Sequence, residues 1–306
     1  FEYTVVNIRC VRHLCTGTQE GRAYMKTGLV LEGGAMRGIY TAGVLDVFLE
    51  AGIMPDVVVG VSAGALHGCS YVAGQKGRSI RYYRKYRSDK HFMGLYSLLT
   101  TGDVVGTKFC YEDIPLRLDP FNEAAFEKAP VDFYVTVTNV RTGKPEYILC
   151  DELKVGSKMD VIRAGASMPL CSKMVEWNGN LYLDGGVSDS IPYAKMKDFG
   201  CRKSIVVLTQ PAGYLKQPAA MAPFEAMYRK YPAFVEAMRG RDQMYNTEVC
   251  AVEQAAKQGD VFLIRPSKLL HVGRMEHDIE VLNAQYELGR QDARNQMDAM
   301  REWMER

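Results

Sequence analysis

The sequence predicts a layered α/β fold with a mainly helical C-terminal portion. Three observations predict it. From Thr27 onward, short apolar runs alternate with longer stretches of helical periodicity. Two of those runs, Gly28–Glu32 and Val57–Val61, lead straight into glycine-bearing turns and then into apolar helices. After Pro211 the texture changes: Pro211, Pro218, Pro223 and Pro232 punctuate a stretch in which helical patterns dominate.

In chain order, Gly28–Glu32 reads as a first buried strand and Gly33–Gly38 as a glycine-rich turn. Ile39–Ala51 then places Tyr40, Val44, Val47 and Phe48 at helical spacing, with Gly52 as the stop. Val57–Val61 is a second strand and Ala63–Ala73 a second helix. Val131–Val140, rich in β-branched and aromatic residues, is a third strand. Lys158–Ala166 is helical, Leu181–Leu183 a short strand before a glycine pair, and Ser204–Thr209 another central strand. Val261–Ile264 is an isolated strand within the helical region. These elements divide the chain into an extension (1–26), an α/β catalytic body (27–210) and a mainly helical portion (211–306). Met25 is the expected biological start.

The 306 residues allow one large core, or one core with a smaller addition. Lys plus Arg number 38 against 36 Asp plus Glu, so the net charge of +2 gives no reason to expect nucleic acid as a partner. The eight cysteines are scattered, without a CxxC pair or a Cys/His cluster. No metal or cofactor is expected, and thiols used this way fit a reducing cytoplasm. Val57–Gly74 is 18 residues with His67 as its only ionisable group, near the length of a membrane span. Its glycines and serines instead indicate a buried strand, a tight turn and a buried helix.

Three short segments carry the chemistry. Gly60-Val61-Ser62-Ala63-Gly64 stands between an apolar strand and a small-residue helix. A GxSxG there forces a sharp turn that lifts the serine hydroxyl from the sheet edge, while the helix aims its N-terminal amides at the same spot. By itself the pentapeptide also fits a structural turn. Glu32-Gly33-Gly34-Ala35-Met36-Arg37-Gly38 again follows a strand and precedes a helix. Its small residues leave backbone amides free to converge on an anion. The Lys-Ser/Thr of a phosphate loop is missing, so an oxyanion hole formed by Gly33, Gly34 and Ala35 is the better reading, with the Gly34 and Ala35 amides as first donors. Arg37 either holds this loop or meets an anionic head group. Asp184-Gly185-Gly186 follows the short strand 181–183 and could be a simple turn. In company with the other two segments, it supplies a carboxylate for Ser62.

These three motifs, in this order, resemble the patatin-like phospholipase family, particularly its bacterial cytoplasmic members. The resemblance covers roughly residues 27–210 and includes Ala166-Ser167-Met168-Pro169. It implies a three-layer patatin-like sheet flanked by helices and a Ser62–Asp184 catalytic dyad with an acyl-enzyme intermediate. It further implies a lipid or other acyl-ester substrate. Glu32 stands where many members have Asp, and Ala35 where a third glycine is common; neither change removes a backbone amide.

The competing reading is a Ser-His-Asp esterase, since Ser62, Asp184 and His271 fall in the α/β-hydrolase order. Against it, one strand precedes the elbow strand where that fold has several, and His271 and His277 lie in the helical portion. His67 should lie further along its helix as a packed histidine. A lipid-binding or regulatory protein on the same scaffold also fits these motifs, as does an acyltransferase that forms the same acyl-enzyme.

Membrane contact rests on Arg78–Lys90, where six basic residues and three tyrosines could meet anionic head groups at the inner membrane surface; a solvated helix packing its tyrosines inward is the plainer reading. Phe224, Met227, Tyr228, Tyr231, Phe234, Val235 and Met238 form a single helical stripe that packs on the body or caps an acyl groove. Ile279, Leu282, Tyr286 and Leu288 face inward from a docked C-terminal helix.

Overall fold

In a computed structural model, the described residues are 26–155 and 159–306. The extension assigned to residues 1–26, the Met25 start, and Cys10 and Cys15 therefore lie outside the described residues, apart from Lys26. Lys158 lies outside them too.

Eight strands form one mixed sheet: β1 (Lys26–Leu31), β2 (Val57–Val61), β3 (Asp132–Asn139), β4 (Pro145–Cys150), β5 (Val175–Trp177), β6 (Asn180–Asp184), β7 (Cys201–Val207) and β8 (Val261–Ile264). Strands β3, β2, β1, β7 and β8 are parallel neighbours in that order. A parallel sheet must be covered on both faces, and period-2 alternation divides its side chains between them. Leu29, Leu31, Val58, Phe133, Val135, Ile205 and Val207 enter one core; Val30, Val57, Val59 and Val206 enter the other.

The first face is covered by α1 (Ile39–Glu50), α2 (Ala63–Val72) and the later helices α6 (Met159–Gly165), α10 (Ile279–Asn295) and α11 (Met297–Glu305). The second is covered by α9 (Arg241–Gln258) and the 191–201 connection. Between them in sequence come α3 (Arg78–Tyr86), α4 (Leu95–Thr101), a wide helical segment Phe109–Leu118 interrupted by Pro115, α5 (Glu123–Lys128), α7 (Ala222–Met227) and α8 (Pro232–Arg239). The three-layer α/β expectation holds.

The mixed pairing determines what meets what. A strand has two edges. β4 occupies one edge of β3 along Phe133–Thr138. β2 takes the other along Asp132–Thr136, and β6 continues that same edge over Val137–Asn139. Because β2 is parallel to β3 and β6 antiparallel, their C-terminal tips run head-on: Val61 sits opposite Thr136 and Asp184 opposite Val137.

β8 extends the sheet beside β7, and α10 crosses α1 at very short range. A Cβ on Gly43 would fall 2.1 Å from the Tyr286 carbonyl oxygen, and one on Gly289 would fall 2.1 Å from that of Tyr40. Two buried hydrogen bonds flank this crossing. Tyr40 donates to Asp292 at 3.0 Å and Tyr286 to Asp46 at 2.6 Å. Leu282, Tyr286 and Leu288 are buried as expected, and Ile279 is half-buried.

Two expectations need correction. The stripe from Phe224 to Met238 is not one helix: α7 ends at Met227, and α8 restarts with Pro232 as its first residue, because a proline has no amide to continue the ladder. Tyr228, Phe234, Val235 and Met238 still pack on Leu183 and Val187 of the body, while Met227 is exposed. In α3, Tyr82, Tyr83 and Tyr86 point inward and are buried, as are Arg78 and Arg87, so these tyrosines are unavailable to a membrane surface. The Val57–Gly74 stretch divides into β2, a turn and α2, and no helix among the described residues is long and apolar enough to cross a membrane.

Candidate active site

Ser62 is the single residue between β2 and α2, with φ 52° and ψ −122°. A side chain at positive φ costs roughly 1–3 kcal/mol and survives only where the flanking elements impose it. Here they do. The chain end of β1 passes so close to the turn that a Cβ on Gly64 would stand 2.3 Å from the Leu31 carbonyl oxygen; Gly60 abuts Ala65 in the same way.

Asp184, the last residue of β6, arrives from the opposite direction. Its Oδ2 accepts the Ser62 hydroxyl at 2.6 Å and its Oδ1 accepts the Gly186 amide at 2.8 Å. Its own amide donates to the Ser167 carbonyl at 2.9 Å, and the Thr138 hydroxyl donates to its carbonyl at 2.8 Å. The Ala166–Pro169 segment thus anchors the aspartate's backbone. Gly185 leaves β6 directly over Thr136, where a Cβ would lie 2.3 Å from the carbonyl oxygen. Ser62 and Asp184 are both buried. Burial pushes the Asp184 carboxyl above the usual carboxylate range; the Ser62 hydrogen bond, then the Arg241 charge, then the Gly186 amide pull it partly back.

The turn after β1 lies against this pair: a Cβ on Gly33 would sit 2.8 Å from the Ser62 Cβ. The amides of Gly33, Gly34 and Ala35 meet no acceptor among the described residues. Ala35 has φ 49°, the conformation that a third glycine would adopt freely. Glu32, longer by one methylene than the usual Asp, reaches across the sheet. It accepts the Thr209 amide at 2.5 Å and the Tyr245 hydroxyl at 3.0 Å, tying the loop's root to the segment just after β7 and to α9. Burial raises its carboxyl despite these bonds.

Ser62 opens onto two cavities that share Ala35, Ser62 and Met168. The first, about 910 Å³ with its mouth included, is lined mainly by apolar groups such as Leu66, Tyr83, Phe92, Ile114, Met159 and Ile162. The second, about 960 Å³, is more polar than the first and brings Arg37, Lys216, Arg241 and Arg274 to the Asp184 side of the serine. Arg241 is held by a 2.5 Å bond from its Nε to the Gly186 carbonyl. Lys216, Arg241, Arg274 and Tyr245 lie outside any motif, so nothing local in the sequence marks them as site residues.

Neither histidine candidate reaches the pair. His67 is buried on α2 with Nδ1 3.1 Å from the Ser79 hydroxyl, and burial holds it neutral, pushed down to about 3. His271 is exposed, and among the described residues the Ser62 hydroxyl bonds to Asp184. No cluster of metal-ligating side chains occurs among the described residues, whose six cysteines are all free.

A family model for the patatin-like phospholipases matches residues 29–196. The chain belongs to the patatin-like phospholipase family. Family membership supports a lipid acyl hydrolase class for the chain. A second model, for a domain of unknown function (DUF6363), matches residues 231–305. The protein YjjU of Escherichia coli is 28% identical over 273 residues, covering 87% of this patatin-like chain and 75% of YjjU. Lysophospholipase nte1 of Aspergillus terreus is 30% identical over 197 residues, 63% of this chain but 12% of that protein's own length. Among solved structures, VipD from Legionella pneumophila aligns with a TM-score of 0.46 at 13% identity, over 90% of this chain and 67% of VipD.

Proposed function

We propose that this protein hydrolyses acyl esters of lipids by a Ser62–Asp184 dyad, without a histidine. The observation that carries the proposal is the 2.6 Å bond between Ser62 Oγ and a buried Asp184 carboxylate. A free aspartate, with an ordinary pKa of about 3.9, is a weak base. Removing it from water raises that basicity, and the short bond gives the proton a direct path as Ser62 attacks.

In the proposed cycle Ser62 Oγ adds to the ester carbonyl while Asp184 takes its proton. The oxyanion meets the unpartnered amides of the 33–35 turn. Collapse of the adduct expels the alcohol, which leaves with the proton from Asp184, and an acyl-Ser62 ester remains. Water then attacks with Asp184 again as base, releasing the fatty acid. The apolar cavity suits an acyl chain, with Gly60, Gly64, Gly185 and Gly186 supporting the geometry. An acyltransferase would follow the same path with an alcohol in place of water; product analysis with added acceptor alcohols separates the two.

The test is hydrolysis of chain-length-graded nitrophenyl esters and lysophospholipids. Ser62→Ala and Asp184→Asn should each lower kcat/KM by a factor on the order of 10³ to 10⁶ while folding normally. Fluorophosphonate should label Ser62 in the wild type. A folded Asp184→Asn protein with near-normal turnover would remove the dyad, and a wild type that neither reacts with fluorophosphonate nor turns over any ester would leave a lipid-binding protein.

A further inference from the structure

The second cavity at Ser62 concentrates positive charge in a way the hydrolytic cycle does not require. Arg37 comes from the β1–α1 turn, Lys216 from the loop after β7, Arg241 from the first residue of α9 and Arg274 from the segment before α10. None of the four forms an ion pair within 4.0 Å among the described residues, whereas most ion pairs elsewhere in the fold involve an arginine. The Arg37 Nε is buried without any hydrogen-bond partner. The Lys216 ammonium rests 4.1 Å from the centre of the Tyr245 ring, a contact that fixes the side chain without neutralising it. The carboxylates on the cavity wall are Glu32 and Asp184, and both are committed: Glu32 to Thr209 and Tyr245, Asp184 to Ser62 and Gly186.

Four cations converging beside two engaged carboxylates leave an excess of positive charge in a half-enclosed space. The cations disfavour one another: burial first, then Arg241, pushes the Lys216 ammonium down to about 8. Such crowding is relieved by an anion. An ester seated with its chain in the apolar cavity and its carbonyl over Ser62 has its leaving group on this side.

We infer that the cationic cavity is a leaving-group subsite for a phosphate carried without a compensating cation, so the preferred substrate is a single-chain acyl ester of a phosphate-bearing alcohol. This rests on the proposed Ser62–Asp184 hydrolysis and specifies its substrate. Arg37 binds from the oxyanion turn; Lys216, Arg241 and Arg274 give the C-terminal portion a role in selecting the head group. When Asp184 takes the Ser62 proton, the negative charge passes from its carboxylate to the oxyanion at the 33–35 turn of the same cavity, so the net positive charge facing the phosphate persists while the acyl bond is breaking.

Two measurements test this, one independent of turnover. In the Ser62→Ala protein, binding of lysophosphatidic acid, lysophosphatidylcholine and monoacylglycerol of equal chain length is compared below the micellar concentration. Lysophosphatidic acid should bind at least about tenfold more tightly than the other two, and Arg274→Gln or Lys216→Gln should each remove most of that margin. Lys216→Arg, which keeps the charge, should retain it. In active protein, the ratio of kcat/KM for lysophosphatidic acid to that for monoacylglycerol should exceed about ten and fall about tenfold in the same glutamine variants. Equal binding of the three lipids, or a margin untouched by both glutamine variants, overturns the subsite. Selective binding without turnover of any ester would instead keep the subsite and sink the hydrolase reading.

Discussion

The two walls of the Ser62 site come from different stretches of chain. The apolar wall is drawn from residues 35–168, inside the region that matches the patatin-like family; three of the four cations on the opposite wall come from residues 216–274. The apolar wall is a by-product of the core, since α3 and the Phe109–Leu118 segment bury their aromatic side chains there whatever the substrate. The cationic wall costs folding energy, because like charges, three of them partly buried, are brought together without ion-pair partners among the described residues. A feature that the fold does not need is the better pointer to function.

The largest effect on this contrast should come from blocking the apolar side alone. Leu66→Trp projects bulk into that cavity from α2, and should lower kcat/KM for twelve-carbon esters relative to four-carbon esters by a factor of roughly 10 to 200, the range that pocket contacts normally command. An equal loss for both chain lengths would show that the acyl chain lies elsewhere.

A second, smaller effect concerns stability. Burial raises the Asp184 carboxyl, so the folded state holds its proton more firmly than the unfolded chain does. The associated stability is complete below the unfolded value of about 3.9 and is lost as pH rises through the folded pKa. Asp184→Asn should therefore be more stable than wild type at pH 7 by about 1–3 kcal/mol, and the gain should vanish in acid. The acid limb of the wild-type kcat/KM profile should correspondingly lie above the ordinary aspartate range. A less stable asparagine variant at neutral pH would contradict both.

Ser62 itself gives the smallest expected change. At φ 52° a glycine is unstrained, so Ser62→Gly should be more stable than Ser62→Ala by about 1 kcal/mol in chemical denaturation. Equal stabilities would mean that the turn carries no strain.

The segments that carry Ser62 and Asp184 were legible in the sequence because they are written locally, whereas the apolar wall was not: the Phe224–Met238 stripe, read as packing on the body or capping an acyl groove, does not line it. Val57–Val61, Ser62 and Ala63–Ala73 form one continuous strand–turn–helix unit, and Asp184-Gly185-Gly186 closes a short strand. What was not legible depends on pairings between distant segments. That β6 continues the edge of β3 which β2 begins, bringing Asp184 head-on to Ser62, follows from register, and single-strand patterns contain no register. Lys216, Arg241 and Arg274 stand in loops or at a helix start, where a basic residue ordinarily signals solvent. Arg78 and Arg87 misled in the same way: their charge suggested a surface, yet Asp119 with Ser70, and the Met275 and Glu276 carbonyls, hold them inside.

The glycine-to-backbone crossing of α1 and α10 bears on how the C-terminal portion should be studied. The helix that follows the Gly33–Gly38 turn is clasped by Tyr286 and Asp292, with Asp46 buried beneath. Deletion mapping would mislead here. A protein cut before Ile279 would lose turnover because a polar, unroofed flank of the catalytic body had been laid bare, and the loss would be mistaken for a missing chemical group. Point changes at Lys216 and Arg274 leave that clasp intact and separate selection of the head group from support of the fold.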